Sequence, residues 1–150
     1  MTTEPQKEHH WLNKLIGDWR YEGEAMMESG NPPEKFRGTE TVRSVGGLWV
    51  FCEGRGEVPD GGAALTFMTL GFDPQKGGYV GTWIGSMTSF LWIYRGTLNR
   101  AEKILTLDTE VPISMVKAWP SFRILSKSRA MTIDCYARRG LGKMEIGAHL

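Results

Sequence analysis

The stretch Leu15-Ile16-Gly17-Asp18-Trp19-Arg20-Tyr21-Glu22-Gly23-Glu24 joins two periodicities and decides the fold. Upstream, from Pro5 to Ile16, the spacing is helical: Trp11, Leu12, Leu15 and Ile16 share one side, and Lys7, Glu8 and Lys14 the other. Pro5 suits a first helical turn, where its missing N–H costs nothing, and Gly17 ends the helix. Downstream the period is two. Trp19, Tyr21, Gly23 and Ala25 fall on one face, and Arg20, Glu22 and Glu24 on the other. A short helix that delivers a tryptophan into a first strand is suited to plugging the open end of a small barrel.

Beyond Trp19 the chain runs as strand-like segments at 19–27, 36–45, 48–58, 64–72, 79–85, 90–98 and 103–110. Turn residues separate them: the loop Glu28 to Glu34, Gly46-Gly47, Pro59 to Gly62, Asp73 to Gly78, and Asn99 to Glu102. The connections are too short for crossover helices, so neighbouring strands are antiparallel. The expected fold class is all-β, an antiparallel meander that removes its edges by closing into a barrel. Barrels with room for a small ligand use roughly eight strands, so closure needs strands from the tail.

Composition bounds the rest. The 150 residues make one domain with a sizeable core. A net charge of +1 argues against a general electrostatic nucleic-acid binder. Residues 1–10 carry no apolar signal core, and no apolar run approaches membrane-spanning length, so no membrane partner and a cytoplasmic location are expected. The two cysteines, Cys52 and Cys135, do not make a disulfide scaffold.

Three further stretches, taken with Gly17-Asp18-Trp19, resemble a family. They are Gly46-Gly47-Leu48-Trp49-Val50, Met68-Thr69-Leu70-Gly71-Phe72-Asp73-Pro74, and Tyr79-Val80-Gly81-Thr82-Trp83-Ile84-Gly85-Ser86-Met87. In this order and spacing they look like the bacterial family called domain of unknown function 1579, over about residues 8–110. The resemblance implies a lipocalin-like, calycin-type barrel: a helix over 1–16, barrel strands over 17–110, and an aberrant tail over 111–150. It implies no activity and no catalytic residues.

From Val111 the character changes. Val111 to Pro120 has two prolines and no clean alternation, and the clusters Ser126 to Arg129 and Arg138-Arg139 leave basic residues in excess over Asp134 and Glu145. Two readings account for this, a genuine divergent tail or a reading-frame shift near Glu110, and the second is favoured. Joining the last base of each codon to the first two of the next forces Gly at Met115/Val116, Ala at Trp119/Pro120, Asp at Met131/Thr132 and Leu at Asp134/Cys135. The hidden text alternates as a strand, a polar turn and a second strand. On this reading the C-terminal strands are missing or disrupted, which exposes an apolar edge.

The chemistry-bearing residues are few. His9 and His10 are adjacent, so on a helix they point about 100° apart and cannot share a metal; with His149 as the third histidine, no metal site and no cofactor is expected. Ser86, Thr88 and Ser89 lack a histidine base, so no catalytic triad is expected. Cys52 suits a small buried hydrophobe. Glu22, Glu24, Glu40, Glu53 and Glu57 suit an exposed strand face balanced by Arg20, Arg37 and Arg43. If Trp49 and Phe51 face inward, period two carries Glu53 and Arg55 inward as well, and a buried Glu53 needs a partner such as Arg43.

These patterns support three readings. The first is non-catalytic binding of a small, largely apolar molecule in a barrel cavity, with Trp19, Tyr21, Trp49, Met68, Trp83 and Trp92 as walls and Arg43 or Glu53 as polar anchor. The second is an enzyme using the same cavity with Glu/Arg acid–base groups. The third is a structural or interaction protein whose barrel is filled by its own aromatics. A homo-oligomer is compatible with all three. Sequencing the gene across the codons for Thr109 to Pro112 is expected to show that restoring one base opens an extended frame; if no single-base change does so, the frame shift is excluded.

Overall fold

A computed structural model describes residues 3–25, 34–57, 61–101, 104–110, 131–138 and 141–148. The chain opens with α1 (Lys7–Leu12) and a 3₁₀ turn (Asn13–Leu15). Seven strands follow: β1 (Gly17–Ala25), β2 (Glu34–Val45), β3 (Trp49–Glu57), β4 (Ala63–Asp73), β5 (Gly78–Gly85), β6 (Trp92–Asn99) and β7 (Ile104–Glu110). They pair in chain order, all antiparallel, as the short turns require. Of the loop expected over Glu28 to Glu34, residues 28–33 lie outside the described residues, as do the tail at 111–130 and His149, while Glu34 already belongs to β2.

The tail departs from expectation. It contributes β8 (Met131–Arg138) and β9 (Leu141–Ala148), a hairpin whose β9 pairs antiparallel with β7. The row is β1-β2-β3-β4-β5-β6-β7-β9-β8. The C-terminal strands expected to be missing are thus present: the β9 backbone completes the ladder that β7 would otherwise leave open. The tail pairs with the sheet as it stands, and the frame-shift proposal rests on the gene alone. Among the described residues β1 and β8 are the ends of the row, and no ladder joins them.

Alternation decides which face is covered. In β6, Trp92, Tyr94 and Gly96 are buried while Ile93, Arg95 and Thr97 are exposed. In β7, Leu105, Leu107 and Thr109 are buried between less covered neighbours. One contiguous core runs from Trp19 of β1 through Val42, Val50, Cys52, Met68, Leu70, Tyr79, Trp92 and Tyr94 to Leu105 and Leu107 of β7. Seven flat strands would span about 30 Å, whereas a short helix covers a strip about 10 Å wide. The sheet must therefore curl around the helix to bury both ends of that core.

The helix docks at one end of the concave face. Leu12 and Leu15 join the core, Trp11 packs edge-on against Tyr79, and His9 packs edge-on against Phe72. The Tyr79 hydroxyl donates to the Glu8 carbonyl at 3.2 Å. The buried Trp19 indole donates from Nε1 to the Leu15 carbonyl at 2.8 Å, tying the end of the helical segment to the first strand. The helix is shorter than its periodicity suggests: Ile16 is extended and exposed. The β2–β3 connection needs two consecutive left-handed residues, supplied by Gly46 at φ 63° and Gly47 at φ 72°. Removing the Trp19 side chain (Trp19→Ala) is expected to cost about 3–5 kcal/mol, and Trp19→Phe, which leaves the Leu15 carbonyl without its donor, about 1–2 kcal/mol. Urea midpoints measure both; an unchanged midpoint for Trp19→Ala contradicts the tether.

Candidate functional site

Register turns the concave face into cross-strand rows. One row is Trp19, Glu40, Gly54, Thr66 and Gly85, each opposite the next from β1 to β5. The next row toward the helix is Val42, Cys52, Met68, Trp83 and Trp92. On the other side lies Tyr21 with Gly38, Gly56 and Ala64. Along β4, Thr66 is six residues from Phe72, where α1 docks, or roughly 20 Å at about 3.3 Å per residue. The Glu40 row therefore lies at the end of the concave face away from the Phe72–Tyr79 dock.

This row is polar and only partly covered. Trp19, Cys52, Met68 and Trp92 are buried, whereas Tyr21, Glu40, Thr66 and Trp83 retain partial exposure. Glycines bring the walls close. A Cβ at Gly38 or Gly56 would strike the Tyr21 hydroxyl, and one at Gly54 would strike the Thr66 hydroxyl and approach Glu40 Oε2. Tyr21 thus lies against the sheet over two glycines, next to the carboxylate. Trp83 packs edge-on to Trp92 with ring centroids 6.5 Å apart.

Burial dominates the electrostatics. It pushes the Glu40 carboxyl up to about 7, opposed only by a hydrogen bond donated by the Cys52 thiol. Burial, then the Glu40 charge and that hydrogen bond, raise the Cys52 thiol. Burial and then the Glu40 charge raise Tyr21. No ion pair among the described residues includes Glu40.

The residues singled out from sequence divide between two faces. Trp19, Tyr21, Met68, Trp83 and Trp92 lie on the concave face and approach Glu40 or the row beside it. Arg43, Trp49 and Glu53 lie on the convex face, which corrects the placement of the walls and the polar anchor. Val50 and Cys52 turn inward, so period two sends Trp49, Phe51, Glu53 and Arg55 outward. Trp49 is 41% exposed and lies over Gly71, its cross-strand partner, where a Cβ would not fit. The Arg43–Glu53 pair exists at 3.5 Å, with Arg55 on the other Glu53 oxygen at 2.8 Å and the Arg43 guanidinium 5.5 Å over Phe51. Both arginines are exposed, so this is a solvated surface cluster.

Sequence reasoning missed Glu40 as an inward residue because β2 is polar on both faces. The usable signal was its alternation with Gly38 and Val42, since a strand that turns glycine and valine inward carries Glu40 with them. His9 was also missed: it is buried, and its Nδ1 accepts from the Gln6 N–H at 2.9 Å, while His10 is exposed. The Ser86 hydroxyl accepts from the Leu65 N–H at 3.0 Å, and the Thr88 hydroxyl from the Phe90 N–H at 3.2 Å, so both serve their turn. Among the described residues no group of His, Cys, Asp and Glu is arranged to hold a metal, and no helix is long and apolar enough to cross a membrane.

A separate open cleft of about 650 Å³ lies at the helix end, lined by Glu8, Phe72, Tyr79, Arg95, Arg100 and Asp108 among others. Its charges oppose one another: Glu8 pairs with Arg100, and Arg95 stands across the ladder from Asp108. Glu40, by contrast, forms no ion pair among the described residues and sits near Trp19 and Tyr21. The Glu40 row is the better candidate.

Comparison with known proteins places the chain. A family model described as Protein of unknown function (DUF1579) matches residues 4–126, and the chain belongs to that family. The match runs past Glu110, so the resemblance does not stop there, as the change of character at Val111 had suggested. No curated protein matches the chain.

The raised Glu40 carboxyl has a stability consequence. Its ordinary value is 4.5 and its folded value about 7, so between these the native state holds the proton more tightly than the unfolded chain. Stability therefore falls as pH rises through that window. At 1.36 kcal/mol per unit, reduced because the carboxyl is partly solvated, the loss is about 1–3 kcal/mol. Glu40→Gln is expected to flatten the profile and to raise stability above pH 7. Urea midpoints from pH 4 to pH 8 check this, and a wild-type profile that rises over that interval contradicts it.

Proposed function

We propose that this DUF1579 protein binds a small, largely apolar molecule at the open end of its concave face, without chemistry. Trp19, Tyr21, Met68, Trp83 and Trp92 form the apolar walls and Glu40 the polar contact. The observation that carries this reading is Glu40 itself. A carboxyl placed on an otherwise apolar face, without a basic partner among the described residues, costs folding stability. Features that break the local rules of a fold at a cost in stability concentrate at functional sites. The partial exposure of Tyr21, Thr66 and Trp83 beside it leaves a molecule a way in.

One observation favours a catalytic variant of the same reading. A carboxyl near 7 is matched to proton transfer at neutral pH. The acid–base group would then be Glu40; Glu53 and Arg43, on the convex face, do not reach the concave one. In the self-filled reading the inward aromatics are simply core, and no molecule enters.

Titration with N-phenyl-1-naphthylamine, an apolar dye that brightens in dry sites, separates these readings. The expected result is saturable binding of one dye per chain, weakened about tenfold or more by Trp83→Ala and unaffected by Trp49→Ala on the convex face. Absence of saturable binding, with the protein folded, contradicts the binding reading and favours the self-filled one.

A further inference from the structure

The sign of the site's charge selects among apolar molecules. Glu40 is the only charged side chain on the concave strand face among residues whose side chains are described. The other inward positions of β1 to β7 whose side chains are described are Gly, Ala, Val, Leu, Met, Cys, Ser, Thr, Phe, Tyr and Trp; by register Glu34, opposite Ala25, falls on the same face at the far end of β2. Arg37 and Arg43 of β2 and Arg55 of β3 are on the convex side, where they pair with Glu57 and Glu53. An anionic head, as on a fatty acid, would meet a carboxylate and, among the described residues, no cation. A neutral head would find a hydrogen-bond partner only.

We infer that the molecule taken at this mouth carries a cationic head: an organic ammonium on an apolar body, seated with its charge at Glu40. The inference rests on the binding reading above and narrows it. Trp19 stands directly across the ladder from Glu40, and Tyr21 lies on the same face two residues along β1. The faces of these rings are negative and attract an ammonium, most strongly where water is excluded. The Cys52 thiol donates to the carboxyl, which supports its ionised form. A cation beside Glu40 reverses the effect of burial and restores the carboxylate. The cost that Glu40 imposes on the empty fold is then recovered on binding. Tyr21 and Cys52 are the other titratable groups facing Glu40, and burial raises both, so neither changes charge near neutral pH.

The test compares three probes with one tail: decyltrimethylammonium, 1-decanol and decanoate, below their micelle concentrations, by isothermal titration calorimetry. The permanent charge of the first leaves Glu40 as the titrating group. Wild type is expected to bind the ammonium at least tenfold more tightly than decanol, with decanoate weakest. The ammonium affinity is expected to rise several-fold from pH 6 to pH 8. Glu40→Gln, nearly isosteric and expected to fold at least as well, should remove both the preference and the pH dependence and leave decanol binding unchanged. Glu57→Gln, on the convex face and already paired with Arg37, should leave the preference intact. If decanol binds as tightly as the ammonium, or decanoate binds best, the cationic head is overturned while the binding site stands. A preference lost equally in Glu57→Gln overturns it too, by assigning the effect to general surface charge. If none of the three probes binds the folded protein, the binding reading itself falls.

Discussion

Seven strands of this chain place their large apolar side chains on one face, and that face can leave water only by curling around a helical segment of nine residues, Lys7 to Leu15. Everything else in the molecule is subordinate to that constraint. A tether close in sequence holds the end of the plug in place: the Trp19 indole sits in the core of β1 and donates to the carbonyl that ends the helical segment. Because Trp19 is only four residues from Leu15, helix and sheet cannot move apart without losing both the hydrogen bond and the burial of a large ring. Phe72 and Tyr79 complete the dock from β4 and β5, with His9 and Trp11 packed edge-on against them.

The same constraint leaves a candidate site. A short helix covers one end of a concave face and leaves the other to be finished by side chains alone. At the finished end the walls are rings and a thioether, and glycines at 38, 54 and 56 let Tyr21 and Thr66 lie close to the sheet. Into this surface β2 sends Glu40. Burial raises its carboxyl to about 7, at a cost in stability that a hydrophobic residue in the same place would avoid.

The strands and their antiparallel order were legible because hairpin glycines and alternation agree: Gly46-Gly47 turns the chain where Val45 and Trp49 must pair. The face was legible in β1 and β6, where rings and charges alternate cleanly. It was not legible in β3, where Trp49 and Phe51 compete with Val50 and Cys52 for the interior. The bulkier pair lost, since their neighbours across the ladder are Gly71 and Thr69, while Val50 and Cys52 meet Leu70 and Met68. Gly71 gives Trp49 a flat seat outside, so a tryptophan can remain exposed there at little cost. That one inversion carried the expected anchor, Arg43 with Glu53, to the wrong side of the sheet. The tail hairpin was hidden for a different reason. The tail that carries it is basic, the stretch Val111 to Pro120 ahead of it holds two prolines, and the pairing of β9 with β7 joins residues far apart in sequence.

The account turns on Glu40 facing the concave, poorly hydrated side of the sheet. Carbon-detected NMR titration of the glutamate side-chain carboxyls, with Glu40 assigned through Glu40→Gln, reads that environment directly. An inflection for Glu40 near 7 is the predicted result. An inflection at the ordinary glutamate value would place the carboxyl in water and contradict the site.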